Sequence, residues 1–298
     1  MRPKDIGLGL LVILVWGMNF AVIKVGVAGV PPLMLGALRF MLAAFPALLF
    51  VRPPKVPLRL YLVYGLTISV GQFAFLFTAI HVGMPSGLAS LVLQSQAFFT
   101  MLFAALWLKE RWHVNQLAGL VLAAGGLALI GSAHGVSMPL AGFLLTIAAA
   151  LMWACGNIVT RAVGHYGPMN QLAFVVWASL VPPLPFWALS YVLEGPAAIA
   201  AAWSGLGWQA MAAIAYLAGA ATLFGYGLWT NLLSRYPANR IAPFSLLVPL
   251  VGLTTGWLVF GEALQAVHFA GGALLMTGLL VNLFGAPLFA RFLAKNRV

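Results

Sequence analysis

Ten long apolar runs, separated by short polar breaks that often contain Pro or Gly, follow one another along the chain. They cover residues 6–24, 32–51, 60–80, 85–108, 114–131, 139–160, 169–193, 208–233, 237–260 and 267–284. A helix needs about 20 apolar residues to cross the hydrocarbon core of a bilayer, and most of these runs are close to that length. The pattern therefore predicts an all-α membrane protein with ten transmembrane helices.

The composition indicates that these runs face lipid. Of the 298 residues, 63% are hydrophobic and only 6% are charged, whereas an average soluble domain has about 25% charged residues. A core of this size could not bury so many apolar side chains, which excludes a soluble enzyme, a secreted domain or a large extramembrane domain. We expect the protein to be embedded in the lipid bilayer and to function as a monomer.

The basic residues predict how the helices are oriented. With ten spans, the side that holds both termini collects 13 of the 15 Lys and Arg residues, while the opposite side holds only Lys24, and Arg39 lies inside the second run. Lys and Arg accumulate on the cytoplasmic side of membrane proteins, so both termini are predicted to be cytoplasmic. The net charge of +11 thus orients helices against anionic lipid and does not indicate a nucleic-acid partner.

An internal repeat relates the two halves of the chain. At an offset of 152 residues, Glu110 matches Glu262, Gly119 matches Gly271, and Gly126 matches Gly278. The repeats cover residues 1–132 and 138–298 and contain five spans each. An odd number of spans requires the two repeats to be inverted in the membrane, an architecture of secondary transporters whose site lies at mid-depth between the repeats. Within each half the two glycines lie on one helix face and allow close backbone contact, which marks the fifth and tenth spans as scaffold.

Several segments resemble the EamA-type family of the drug/metabolite transporter superfamily. They are Trp-Gly-Met-Asn-Phe at 16–20, Leu-Arg-Phe at 38–40, Pro-Ser-Gly-Leu-Ala-Ser-Leu at 85–91, Leu-Lys-Glu-Arg at 108–111 and Leu-Val-Phe-Gly-Glu at 258–262. The resemblance implies ten helices, a central cavity and alternating access, and it is greatest to bacterial amino-acid exporters of the inner membrane. The second half departs from the first, because Ala-Cys-Gly stands at 154–156 in place of a Trp-Gly pair.

The chain has only four acidic residues, and all four fall at the ends of predicted spans. They are Asp5, Glu110, Glu194 and Glu262. A proton-coupled pump usually relies on a carboxylate buried at membrane depth, so a carboxylate relay is not expected. Glu110 and Glu262 are expected to pair with neighbouring cations or to cap helix ends. The sequence indicates no metal site and no cofactor.

Arg39 is the one basic residue deep inside a predicted span, about 10 Å from its end. A charge at this depth costs several kcal/mol unless it pairs, snorkels or faces water. Two interpretations remain open: Arg39 bonds helix-end carbonyls or a polar side chain, or it is the counter-ion of a substrate carboxylate. Lys24, at a span end, is expected to be a snorkelling anchor.

Uncharged polar and aromatic residues near mid-depth give the candidate substrate site. Trp16 and Asn19 share one helix face, as do Trp153 and Asn157. Together with Arg39, the full candidate set is Trp16, Asn19, Gln72, Gln94, Trp153, Asn157 and Ser245. Aromatic walls with a few amides suit aromatic and other neutral amino acids of broad range. The alternative for these amides is hydrogen bonding between helices.

Other classes of membrane protein fit less well. An intramembrane enzyme would need clustered acids or a membrane-depth Ser and His, whereas every His falls at or near a span end. An ATP-driven pump would need a phosphate-binding loop with Gly-Lys-Ser/Thr, which the chain lacks. The nearest alternative is a transporter of another solute class, such as sugars, nucleotide sugars or drugs.

The orientation is testable with topology reporters. A reporter fused after Val298 should be cytoplasmic, and one inserted near Ser137 should be extracytoplasmic, because an odd number of spans separates the two places. Alkaline phosphatase and green fluorescent protein fusions measure the two outcomes in parallel. The reverse activity at either place would remove the basis for inverted repeats.

Overall fold

The computed structural model describes residues 1–110, 113–133, 138–167, 170–236 and 238–295, and these residues form α-helices joined by short loops. The helices are α1 (Pro3–Gly29), α2 (Pro32–Leu48), α3 (Leu58–His81), α4 (Ser86–Leu108), α5 (Val114–Ser132), α6 (Leu140–Gly164), α7 (Gln171–Glu194), α8 (Pro196–Ser204), α9 (Trp208–Leu233), α10 (Ala238–Ser245), α11 (Val248–Phe260) and α12 (Ala266–Lys295).

Within the described ranges, eight helices are long and apolar enough to cross a membrane, namely α1, α3, α4, α5, α6, α7, α9 and α12. Helices α2 and α11 are apolar but shorter, with 17 and 13 residues. The all-helical prediction is therefore confirmed, although the run at 237–260 is divided between α10 and α11. The predicted starts at 169 and 237, and the loop position at 137, lie outside the described residues.

Irregular segments interrupt several of the described helices near their middles, among them a turn at residues 179–182 of α7. A wide π-helical segment occupies Gly65–Gly71 of α3 and another occupies Tyr216–Phe224 of α9. A 3₁₀ turn at Leu93–Ser95 interrupts α4, and a turn at 246–247 separates α10 from α11. Such turns leave backbone groups outside the regular i to i+4 pattern and occur frequently at functional sites. Here they lie beside polar residues that the sequence singled out.

Helices α5 and α12 pack backbone to backbone through glycine. A Cβ atom built on Gly119 would lie 2.6 Å from the carbonyl oxygen of Gly278, and one built on Gly126 would lie 2.5 Å from that of Gly271. The contact runs crosswise, so the two helices are antiparallel. The close backbone contact expected at these glycines is confirmed, and the structure adds that the two helices make it with each other.

Helix α1 lies at the centre of the remaining packing. It packs against α4, α9 and α11, while α6 packs against α3 and α4. Gly17 of α1 lies directly on Val251 of α11, where a Cβ would clash. A shared apolar core that includes Ile23, Phe77 and Leu217, all fully buried, surrounds these contacts. The helices thus enclose a space on the side of α1 that carries Trp16 and Asn19.

The α5–α12 contact predicts that alanine substitutions at two adjacent glycines have different effects on stability. Gly126→Ala would force a methyl group against the backbone of α12, and overpacking of this kind costs about 1–3 kcal/mol. Gly125 has no atom within 4 Å of its Cβ position, so Gly125→Ala is the matched control and gains helix propensity.

We expect Gly126→Ala to lower the melting temperature in detergent by several degrees, while Gly125→Ala leaves it unchanged or raises it. Equal melting temperatures for the two variants would show that the close approach of α5 and α12 contributes nothing to stability.

Candidate functional site

A cavity of about 660 Å³ lies between α1, α2, α3, α4, α6, α7, α9, α10 and α11. Its wall contains all eight side chains that the sequence analysis selected. They are Trp16, Asn19, Arg39, Gln72, Gln94, Trp153, Asn157 and Ser245. Six different helices contribute them, so the fold gathers residues that are far apart in the sequence. Their contact with a substrate stays a prediction.

Aromatic rings form a fixed part of this wall. The ring centroid of Trp16 lies 5.4 Å from that of Tyr226 and 5.2 Å from that of Trp229. The indole Nε1 of Trp16 donates to the carbonyl oxygen of Ala221, in the π-helical segment of α9, at 3.0 Å. Because this N–H is already bonded, Trp16 offers an apolar ring surface to the cavity.

Two of the selected amides bond within the protein. Gln94 Nε2 donates to the backbone oxygen of Ser245 at 3.1 Å and joins α4 to α10. Asn157 Nδ2 donates to Gln96 Oε1 at 2.7 Å and to Thr100 Oγ1 at 3.0 Å, and joins α6 to α4. These two amide nitrogens therefore form hydrogen bonds between helices, which is the alternative that the sequence left open.

Arg39 is buried in the wall, with 3% of its surface exposed. Its Nη2 donates to Thr222 Oγ1 at 3.1 Å, and its Cζ lies 3.9 Å from the ring centroid of Phe73. The Thr222 hydroxyl donates in turn to the carbonyl oxygen of Leu217 at 2.8 Å, so it presents only lone pairs to Arg39. Thr222 thus fixes the guanidinium through one of its five N–H groups.

Unpartnered polar atoms are concentrated around this cavity. Among the described side chains, the buried atoms without a hydrogen-bond partner are Asn19 Oδ1, Arg39 Nε, Arg39 Nη1 and Ser95 Oγ. Three of these four atoms belong to residues of the cavity wall. A buried polar group without a partner costs about 1–3 kcal/mol. Their location indicates a place where polar groups of a ligand would bond.

One end of the cavity reaches the surface of the protein. The wall there is formed by exposed residues at the C-terminal end of α6 and the start of α7, among them Thr160, Gly164 and Gln171. At the opposite end the wall residues Phe20, Leu76 and Ser90 are buried. The cavity is therefore open on the face that carries Arg161 and closed on the other.

A buried carboxylate lies at the closed end. Glu262 Oε1 accepts from Lys24 Nζ at 2.7 Å and from the backbone N–H of Ser86 at 2.8 Å, and Oε2 accepts from the N–H of Gly87 at 2.9 Å. We call these four residues the outer latch. Ser86 and Gly87 begin α4, so the carboxylate of Glu262 caps that helix, as the sequence suggested. Lys24 is paired here, which corrects the expectation of a snorkelling anchor.

The bonds of the outer latch lower the pKa of Glu262, which lies in the loop between α11 and α12. Burial acts to raise the pKa of this carboxyl, but the bonds from Lys24 and from the first residues of α4 outweigh it and hold the pKa below its ordinary value. The ionised form is therefore favoured by the latch.

The other three carboxylates are also bound at helix ends. Glu194 accepts from the backbone N–H groups of Leu33 and Met34, at the start of α2, at 2.7 and 3.2 Å. The remaining two form ion pairs at the opposite face, Asp5 with Arg235 at 2.9 Å and Glu110 with Arg161 at 2.7 Å. No carboxylate contributes to the cavity wall that the structure describes. Nor do the described residues include a group of three His, Cys, Asp or Glu able to hold a metal ion.

The structure adds wall residues that the sequence did not select. Tyr64, Tyr226 and Trp229 line the cavity, and sequence position alone left open whether they pack or face it. Phe73, which supports Arg39, also lines it. Phe73 is followed by two more Phe in the same apolar helix, and nothing in the sequence separates it from a lipid-facing residue, so this role could not be read from the sequence.

The chain matches the EamA-like transporter family over residues 4–132 and 140–284. A solved crystal structure superposes on it with a TM-score of 0.63, at 22% sequence identity, and the match covers 98% of this chain and 99% of the other. This likeness shows a shared fold.

Curated relatives match over almost the whole chain. The chain is 50% identical over 288 residues to the "Probable amino-acid metabolite efflux pump" of Escherichia coli (strain K12), with 96% of each chain covered. The protein of the same name from Salmonella typhimurium is also 50% identical with the same coverage. The "Probable terminal-alkyne amino-acid exporter" of Streptantibioticus cattleyicolor is 28% identical over 281 residues, covering 91% of this chain and 90% of that protein.

Proposed function

The chain belongs to the EamA-like transporter family, and from this premise we propose that it exports neutral amino acids and their metabolites by alternating access. Its apolar helices and its relatives make it a multi-pass protein of the bacterial inner membrane. The family and its named members are transporters and not enzymes. The observation that carries the proposal is the cavity of about 660 Å³, which gathers aromatic and amide side chains from six helices.

Helix irregularities support two inverted repeats, 1–132 and 138–298, with both termini in the cytoplasm. Shifted by 152 residues, the π-helical segment Gly65–Gly71 falls on Tyr216–Phe224, and the 3₁₀ turn Leu93–Ser95 falls on the break between α10 and α11. The crosswise glycine contact of α5 with α12 is what a two-fold axis between equivalent helices would produce. The basic residues supply the orientation.

In that orientation the cavity opens toward the cytoplasm and the outer latch closes the opposite end. Arg161 and the exposed start of α7 lie at the open end, on the basic face. Glu262 belongs to the second repeat, whereas Lys24, Ser86 and Gly87 belong to the first, so the latch fastens one repeat to the other. Release of substrate outward requires these bonds to break.

The wall supports broad rather than narrow specificity. Ring surfaces of Trp16, Tyr226 and Trp229 accommodate apolar side chains of different shape, and one methylene group discriminates by only about 1–3 kcal/mol. A phosphorylated or nucleotide-linked sugar would need several cations, and Arg39 is the one cation in the described wall. A cationic drug would need a carboxylate, and none lies there. The cavity wall therefore favours neutral amino acids over phosphorylated sugars, nucleotide-linked sugars and cationic drugs as substrates.

The proposal is tested by transport into proteoliposomes without an ion gradient. Counterflow of labelled phenylalanine, tryptophan, methionine and threonine should exceed that of glucose or tetraphenylphosphonium. Trp153→Ala and Asn19→Ala should each lower flux about tenfold, the size of losing about 1.4 kcal/mol of binding, at unchanged expression and melting temperature. Trp208→Ala, at a side chain that is 73% exposed, is the matched control and should transport normally.

Failure of all four amino acids, with sugar or cation flux intact, would replace the substrate class. If Trp153→Ala and Asn19→Ala instead unfold while the remaining folded protein transports normally, these two residues are packing residues and the binding site lies elsewhere.

The latch gives a second test of alternating access. Replacing Cys155, the one native cysteine, by Ala and adding Ser90→Cys places a thiol in the closed end of the cavity. Adding Glu262→Gln should raise labelling of this thiol by an impermeant maleimide from outside about tenfold, since a charge-assisted hydrogen bond contributes about 1.5–3 kcal/mol. Glu110→Gln, at the exposed pair of the opposite face, is the control and should not raise it.

Labelling should also depend on pH. The pKa of Glu262 is held below its ordinary value of 4.5, so the latch is fully present above that pH and is lost as pH falls through the lowered value. Outside labelling of Ser90→Cys, corrected for thiolate reactivity, should therefore rise only in the acid range and should be flat in Glu262→Gln. A flat profile in both proteins would contradict a gating role for Glu262.

A further inference from the structure

The cavity contains a positive charge without a negative one. Arg39 is the one charged residue in the wall that the structure describes. All four carboxylates of the chain are bound at helix ends, to Lys24, Arg161, Arg235 or the start of α2. The fold therefore has no carboxylate left with which to neutralise Arg39. The cavity wall that the structure describes thus carries a net positive charge.

We propose that Arg39 selects substrates by their carboxylate and that the substrate amino group is dispensable, so that aromatic and aliphatic monocarboxylates without an amine use the same site. This inference rests on the proposed function and narrows it. The carried class would then be monocarboxylates in general, with neutral amino acids as one part of it.

The geometry of Arg39 suits a carboxylate. Thr222 accepts from Nη2 alone, while Nε and Nη1 stay unpartnered in a side chain that is 97% buried. Arg39 Cζ lies over the ring of Phe73, 3.9 Å from its centroid, and this cation–π contact uses none of the guanidinium N–H groups as a hydrogen-bond donor to another group. Carboxylate oxygens accept from such N–H groups in short, charge-assisted bonds. One neutral hydroxyl does not neutralise a buried cation, so a purely structural role for Arg39 leaves most of its N–H groups and its charge unmatched.

The groups left for an ammonium are all neutral. Asn19 Oδ1 is a buried acceptor without a partner, and the ring of Trp16 lies on the same helix face. An amide oxygen and ring faces attract a cation more weakly than a carboxylate does, and the positive charge of Arg39 in the same cavity opposes that attraction. Removing the amine from a substrate should therefore cost little, whereas removing its carboxylate should cost much.

Three ligands with the same phenyl ring separate these contributions: phenylalanine, 3-phenylpropionate without the amine, and 2-phenylethylamine without the carboxylate. Binding to the purified protein in detergent is measured by displacement of tritiated phenylalanine and by ligand-induced thermal stabilisation. We expect 3-phenylpropionate to bind within about threefold of phenylalanine and 2-phenylethylamine to bind at least tenfold more weakly, the size of one charge-assisted bond.

Variants assign this preference to Arg39. Arg39→Gln should weaken phenylalanine and 3-phenylpropionate at least tenfold without weakening 2-phenylethylamine, and Arg39→Lys should recover part of the loss. Arg52→Gln removes the same charge from an exposed residue and should change none of the three. Thr222→Val, which removes the structural bond, should keep the order of the ligands. Should Arg39→Gln fail to fold, the wild-type comparison decides alone.

Equal binding of 2-phenylethylamine and 3-phenylpropionate would overturn the inference, as would unchanged phenylalanine binding in folded Arg39→Gln. Phenylalanine transport without any 3-phenylpropionate binding would overturn it and leave the proposed function standing. Arg39-dependent 3-phenylpropionate binding without amino-acid transport would support the inference and reject amino acids as the cargo. Binding of none of the three ligands would reject both.

Discussion

The chain has four acidic side chains against fifteen Lys and Arg side chains. All four carboxylates bind partners at helix ends. Glu262 and Glu194 cap α4 and α2 at one face, and Asp5 and Glu110 hold Arg235 and Arg161 at the other. A charge in low dielectric needs a partner, and the hydrogen bond that the structure gives Arg39 is to the neutral hydroxyl of Thr222. The distribution of so few acids thus determines both where the bundle is fastened and what charge its cavity presents.

The contacts between helices differ in how easily they would separate. Helices α5 and α12 touch backbone to backbone through glycine, and any separation there would open a void. The outer latch, by contrast, depends on a carboxylate whose bonds are individually modest and reversible. The π-helical segments of α3 and α9 and the turn between α10 and α11 lie beside the cavity. Motion that exposes the cavity alternately is expected at these places rather than at α5 and α12.

Much of this arrangement could be predicted from sequence because lipid makes the helix pattern plain, and because amides and a lone Arg are rare at membrane depth. The eight selected residues were found in that way, and they share one wall. The sequence could not show which side chains bond to each other in the folded protein. It could not show that Asn157 is bonded to Gln96 while Asn19 Oδ1 is not, or that Lys24 meets Glu262 across 238 residues. Phe73 gave no signal, because its role depends on lying beneath Arg39.

In the proposed complex, the guanidinium of Arg39 receives the carboxylate of the cargo. A structure of the protein in nanodiscs with bound phenylalanine measures this directly. We expect a carboxylate oxygen about 2.7–3.2 Å from Arg39 Nε or Nη1, with the phenyl ring against Trp16, Tyr226 and Trp229. Phenylalanine seated in the cavity with its carboxylate on other groups, and Arg39 still bonded to Thr222 alone, would contradict the claim.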